Sequence, residues 1–457
     1  SWAQVSIKGP ISVKGPIAVT TGAASSTFVQ GFTALGANTR LDRSSYAQCP
    51  ATTGLNIHRV EGCIAVIRDW TTGALRTADS KLYITGGGHG AYGGNELYAL
   101  DVSAGTLNRY NNPSTPGTDD ETVTPGVTGC QYGSRNGTTT GTQATTNFNP
   151  LAIPVVINTS LVPGSNTCTA CVNDSGGWGC APDSKHNYNM LAYIPANSVS
   201  CSPGDFNAGF TGDALFEYGA YGAWGGIGTG DDAWLFHFTT TGHTNAWQRL
   251  DTLATYTSGN HPTSDYRGFV VFNPNDGYVY LHTGNNFGKW NVCTNTYTQL
   301  DGTIAGQSMA GVLVPTLGAS GTIVVFADNV GTRNVYHYNI ATNTTTSKTA
   351  TVNASCDMAT RSNVDGTWHF NGAGFAYDSD VGDIVMYPDF GNTVYSYNPT
   401  NSTCAGTTYS QNATVTNPNY GTNQSNGTYG KWRYVPSKKG FALILDAGIE
   451  AYFLCRN

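Results

Sequence analysis

The scarce residues of this chain are its cations and imidazoles, 22 Lys and Arg and 9 His among 457 residues, and they recur just ahead of apolar runs. His58-Arg59, Lys185-His186, Tyr266-Arg267, Trp368-His369 and Trp432-Arg433 each occupy such an entry. His89, Tyr92, Trp224 and His282 fall beside the glycine-rich or polar connections that come later in the same units. Indole and phenol rings offer stacking faces, while imidazole and guanidinium groups offer directional donors. Brought together, these residues would make a pocket for a carbohydrate or an acidic ligand. His, Tyr and Arg are also the types that abstract a proton beside a uronate, so a glycan-active enzyme is the alternative. The third reading has no ligand: the same side chains cap strands and bridge neighbouring sheets.

Gly88-His-Gly-Ala-Tyr-Gly93 matches the GxGxxG pattern that cradles a dinucleotide pyrophosphate. That chemistry needs a helix opening at the last glycine, so that its free amides face the phosphates. Here Lys81-Leu-Tyr-Ile-Thr85 precedes the glycines and Asn95-Glu-Leu-Tyr-Ala-Leu-Asp101 follows them, both with the period-two pattern of strands. The segment therefore reads as strand, turn, strand, with no nucleotide cofactor. Ser362-Asn-Val-Asp-Gly-Thr-Trp368 is one residue short of a sialidase-type aspartate box and occurs once, which removes that reading.

The elements that must position these residues are strands. Charged residues make up 11% of the chain, against about 25% in a typical soluble domain, beside 57 Gly and 26 Tyr. That composition suits turns and half-buried strands, not exposed helices. A formal net charge of −7 repels phosphate backbones, so nucleic acid is not an expected partner. No apolar run approaches the about 18 residues that span a bilayer, and no basic-then-apolar leader stands at Ser1. The chain reads as a secreted, processed protein.

A weak internal period of about 40 residues lies in the range of propeller blades. Phe269–His282 with Gly288–Cys293, Gly374–Tyr387 with Asn392–Tyr397, and Lys431–Leu445 with Glu450–Cys455 share one layout of strand, polar turn, apolar strand and Tyr-rich strand. A lone sheet of this kind cannot bury both faces, whereas copies closed into a ring can. The ranges 57–112, 186–250, 265–302, 308–350, 372–410 and 429–457 give six blades, or seven if 114–185 adds one. The last blade has only three strands, and Thr27–Thr33 is the candidate fourth. In such blades the entries to the first strand and the connections between second and third strands share one face, where the candidate residues and Asp231, Asp328, Asp389 and Asp446 would gather.

The Gly86-Gly-Gly-His segment with Asn95–Asp101, and Trp432-Arg-Tyr-Val-Pro with its following strand, resemble secreted bacterial Kelch-type propellers related to galactose oxidase. The resemblance covers about 330 residues from near Ile57. It implies an all-β fold, a single propeller of four-stranded blades around a central channel. A copper radical site would need two His and two Tyr ligands and a Tyr–Cys crosslink. No segment reproduces those contexts, so neither metal nor cofactor is expected.

Eleven cysteines read as disulfides of an oxidising compartment, because Cys168-Thr-Ala-Cys171 lacks the second pair of a zinc site. Cys49 with Cys63, and a local set drawn from Cys130, Cys168, Cys171, Cys180 and Cys201, are the expected pairings, the latter stapling an insertion at 113–185. Sequons such as Asn136, Asn343, Asn401 and Asn426 occur at a frequency near chance in so Asn- and Thr-rich a chain. Residues 1–26 form an arm ahead of the propeller at 27–457; its tandem Ser-Ile/Val-Lys-Gly-Pro-Ile is extended, because Gly-Pro forbids helix. The arm either packs along its own ring or docks on another copy of the chain, burying Ile7, Ile11, Val13 and Ile17 and building a filament or layer.

Overall fold

The structure, a computed structural model, describes residues 29–41, 62–86, 96–110, 185–219, 221–222, 233–240, 245–250, 268–283, 286–300, 304, 308–329, 332–355, 372–388, 391–409, 413–415 and 427–456. They form six four-stranded antiparallel sheets arranged as the blades of one propeller. Blade I holds Thr72–Arg76, Lys81–Thr85, Tyr98–Asp101 and Thr106–Arg109, and blade II holds Leu191–Ile194, Ala214–Tyr218, Ala233–His237 and Ala246–Arg249. Blade III holds Phe269–Asn273, Tyr278–Thr283, Asn286–Asn291 and Thr296–Gln299. Blade IV holds Ser308–Val314, Thr322–Asn329, Thr332–Asn339 and Thr344–Ser347, and blade V holds Gly374–Asp378, Asp383–Tyr387, Thr393–Asn398 and Thr403–Thr408. Blade VI takes Trp432–Val435, Gly440–Leu443 and Tyr452–Cys455 from the C-terminal end, and its outermost strand, Gly31–Ala34, from the N-terminal end. The register runs from Gly31 opposite Cys455 to Ala34 opposite Tyr452, a little downstream of the expected Thr27–Thr33.

The first strand of each blade lies innermost and packs beside the first strands of its two neighbours, so blade VI meets blade I and the ring closes. Six apolar cores fill the six spaces between blades. This explains the uninterrupted apolar runs of the second and third strands: Ala214–Tyr218 and Ala233–His237 are buried on both faces. Outer strands such as Thr296–Gln299 and Thr344–Ser347 are mostly exposed, and their threonines mark them.

Short connections join first to second strands in every blade but II, where residues 195–213 form a long one, and third to fourth strands in blades I, III, IV and V, all on one face of the ring. Asp101, Asn273, Asn291, Asn339, Asp378 and Asn398 each end a strand and accept turn amides on a side-chain oxygen. Four residues on, Gly105, Gly277, Asn295, Asn343, Gly382 and Ser402 have φ between 52° and 84°, the left-handed region that Gly and Asn tolerate. Asp or Asn followed four residues later by Gly, Asn or Ser is thus the local code of this turn. The strand ends that bound the longest connections, Arg109, Arg249 and Thr408 among them, lie on the opposite face.

The glycine-rich segment joins paired neighbours, with Ile84 opposite Tyr98 and Lys81 opposite Asp101. Strand, connection, strand is therefore its architecture; residues 87–95 themselves, like the arm and the insertion, lie outside the described residues. The cysteine expectation needs one correction. Cys201 bonds Cys293, 92 residues away, and not a member of the local set. The bond ties the long connection between the first two strands of blade II to a turn of blade III, the next blade along the chain. Cys63 and Cys404 are also disulfide-bonded, but Cys49 lies outside the described residues. No described helix is long and apolar enough to cross a membrane.

Candidate functional site

The inner strands of all six blades surround a central cavity of about 320 Å3. Its lining reaches Thr77, Pro195, Pro274, Ser379 and Pro436, which follow the inner strands directly, so the cavity runs to the short-turn face. Most lining residues are apolar, Val271 and Leu313 among them, while the inner-strand edges add backbone carbonyls and amides. Tyr193, Tyr377 and Tyr434 stand at the mouth ends of their strands.

Among the described residues one charged side chain enters this lining, that of Arg433. Its Nε donates to Gly73 O of blade I at 3.0 Å and its Nη1 to Phe375 O of blade V at 3.2 Å. Inner-strand edges face the channel with no strand beside them, so these carbonyls would otherwise lack a donor. Two of the five donor hydrogens are thereby used, and among the described residues no carboxylate pairs with the guanidinium. Burial lowers its pKa to about 10, which leaves it charged at neutral pH. Asn189 of blade II performs the matching structural task across the ring. Its Nδ2 donates to Met309 O of blade IV at 3.2 Å, and its carbonyl accepts from Val270 N of blade III at 2.9 Å.

Ion pairs lock the blades around the mouth. Arg76 donates Nε and an Nη to the two oxygens of Asp213 at 2.8 Å each and a further Nη to Asp79 at 2.7 Å, joining blades I and II. Burial works to raise the Asp213 pKa, but Arg76, with Tyr193 and Thr239, holds it below the usual carboxylate value. Arg456 bonds Asp378 at 2.9 Å and Ser396 at 3.0 Å, joining blades VI and V. These charges are consumed by one another, whereas Arg433 is not.

The twelve candidate side chains separate accordingly. Arg433 lines the channel. Trp432 lies wholly buried between blades V and VI, stacked on Phe441 with ring centroids 4.6 Å apart. His282 is interior too, between the rings of Phe269 and Phe287, with Nε2 at 3.3 Å from Ile304 O. Both belong to the packing of the fold. His186 sits in a two-stranded ribbon with Tyr221–Gly222. His58, Arg59, His89, Tyr92, Trp224, Arg267, Trp368 and His369 lie outside the described residues, as do Ile7, Ile11, Val13 and Ile17. Asn189, Tyr193 and Tyr377 were not singled out in the sequence; the signal available was their place at the ends of inner strands. Cys201, Asp205 and Cys293 cluster as metal ligands do, but the two sulfurs are spent on each other.

Burial depresses the His282 pKa from 6.5 to about 4, and burial with nearby Lys348 takes His337 to about 4 as well. Both are neutral in the fold and take up a proton on unfolding. Their stabilising effect is complete above pH 6.5 and is lost as the pH falls toward 4, by about 3 kcal/mol for His282. Thermal melts at pH 7 and pH 4.5 should show that loss, and His282→Phe should remove about half of it. An unchanged acid shift in the variant would mean that other groups govern it.

No protein-family model matches the chain, and no curated protein sequence does. Solved structures similar to it include a putative phosphatase from Bacteroides thetaiotaomicron, at 11% identity over 93% of this chain and 78% of that one, TM-score 0.45. A GH74 enzyme from Niastella koreensis matches at 13% identity over 94% of this chain and 54% of that one, TM-score 0.39. TolB from Acinetobacter baumannii matches at 10% identity over 76% and 56%, TM-score 0.35. The chain thus spans little more than half the length of the last two.

Proposed function

We propose that this propeller is a secreted, Kelch-type binding module and that its ligand enters the central channel from the short-turn face. The observation that carries this reading is Arg433, a charged group in an apolar cavity with no carboxylate beside it among the described residues. Burying a lone charge is costly, and a fold keeps such a group where something else neutralises it. The lining supplies a cation, phenols and apolar walls, which are binding groups. Val271 is partly exposed in the cavity, and Val271→Trp should fill it without disturbing the blade cores. Small amphiphiles should raise the melting temperature of the wild type and leave that variant unmoved; equal responses would place the ligand elsewhere.

A second reading concerns assembly. The pairing of Gly31–Ala34 on the outer edge of blade VI delivers the preceding residues to the rim of the ring, where Val29 is 62% exposed. At that rim the outer strands of blades III and IV also present exposed edges, to which an extended segment can add. In this reading residues 1–25 dock on a neighbouring copy and build a filament or layer. Their deletion should leave a folded monomer with unchanged circular dichroism and no polymer. Polymerisation of the truncated chain, or a monomeric full-length chain at high concentration, would reduce the arm to a tether.

A further inference from the structure

We infer that the channel ligand is a small monocarboxylate with an unbranched apolar body, bound head-first with its carboxylate on Arg433. The inference rests on the reading that the channel is the binding site, and it adds the ligand's charge, polarity and length.

The charge follows from the donor set. One guanidinium faces the cavity, two of its donors are already committed to Gly73 O and Phe375 O, and among the described residues no Lys or second Arg stands in the lining. A monoanion cancels that single charge. A phosphate dianion would leave one negative charge uncompensated in an apolar space, where it is strongly disfavoured. A neutral ligand would leave the guanidinium as it is.

The polarity and length follow from the position of Arg433 along its strand. Arg433 is the second residue of Trp432–Val435, and Pro436, just beyond the strand, belongs to the lining at the mouth. Three residues of strand separate the charged head from the mouth, about 10 Å. Between those levels the lining includes Val271 and Leu313. An extended aliphatic chain such as octanoate matches this path, its carboxylate at the inner end and its methyl end among Tyr193, Tyr377 and Tyr434.

The test is calorimetric titration of the full chain with acetate, hexanoate, octanoate, octyl phosphate and octanol, repeated with Arg433→Met and Val271→Trp. Octanoate should bind wild type at least tenfold more tightly than octanol, acetate or octyl phosphate. Each methylene from hexanoate to octanoate should strengthen binding by up to about fourfold. In Arg433→Met the preference of octanoate over octanol should vanish while octanol binding persists, a difference that lost folding cannot imitate. If that variant does not fold, the octanoate-to-octanol ratio in wild type decides the question alone. Equal binding of octanoate and octanol to wild type would overturn the carboxylate assignment and leave the channel as the site. Absence of binding by every probe, or undiminished binding to a folded Val271→Trp chain, would overturn the channel reading itself.

Discussion

A chain lacking residues 1–35 is expected to lose cooperative folding and collect as aggregate, while a chain lacking residues 1–28 folds as the full chain does. The difference is the strand Gly31–Ala34, which supplies the outer edge of blade VI. Phe32 within it is fully buried, its ring 6.0 Å from that of Tyr387, 6.3 Å from Tyr409 and 6.4 Å from Trp432. Loss of such a ring alone costs about 3–5 kcal/mol. Deletion also removes the bond from Leu35 N to Ala451 O at 2.8 Å and bares Tyr452–Cys455 as an unpaired edge. Set against the about 5–15 kcal/mol that holds a typical domain together, the sum is enough to unfold the ring or to turn its open edge on other copies. Circular dichroism melts and sedimentation of the two truncated chains make the comparison. A folded, monomeric chain without residues 1–35 would mean that the ring does not depend on this closure.

Trp432→Ala should destabilise the fold by about 3–5 kcal/mol, measured as a lower urea midpoint at unchanged slope. The indole fills the space between blades V and VI, flat on Phe441 and 5.4 Å from Tyr387, and its Nε1 donates to Val385 O at 3.0 Å. Truncation leaves a cavity and a carbonyl without its donor. Trp432→Phe keeps most of the stacking and loses the hydrogen bond, so its cost should be far smaller, about 1 kcal/mol for the bond plus the lost volume. A Trp432→Ala chain as stable as wild type but altered in ligand binding would return this residue to the surface.

How much of this could be read beforehand depends on the direction of the information along the chain. Blades were legible because period-two runs such as Lys81–Thr85 and Asn95–Asp101 are local, and so are the Asx turns that join strands. The missing fourth strand of the last blade was legible by counting. Which side of a strand a residue faces was less so, since a shift of one position exchanges the two faces. Trp432 and Arg433 are adjacent, yet one packs between blades and the other lines the channel. The Cys201–Cys293 bond was illegible for a different reason: its cysteines are 92 residues apart and meet only through the packing of one blade on the next. The position of the cavity opening was hidden too, because radial place in a ring leaves no mark on sequence period.

The ties between blades are uneven, and this has a mechanical consequence. Blades II and III share a covalent bond, while blades I and II and blades V and VI share ion pairs. The ties between blades IV and V include the hydrogen bonds of His337 with Tyr397 at 2.7 Å and of Thr316 with Tyr377 at 3.3 Å, beside the stacked rings of Phe326 and Phe375. The His337–Tyr397 contact makes this joint pH-sensitive, and protection from amide hydrogen exchange in the strands that flank it should weaken as the pH falls toward 4. The joint loosens in acid because the imidazole that bridges it is held neutral by burial and favours separation once protonated. Phe375 and Tyr377 of the channel wall lie on its blade V side, so the same motion that relaxes the ring widens the route for whatever enters or leaves.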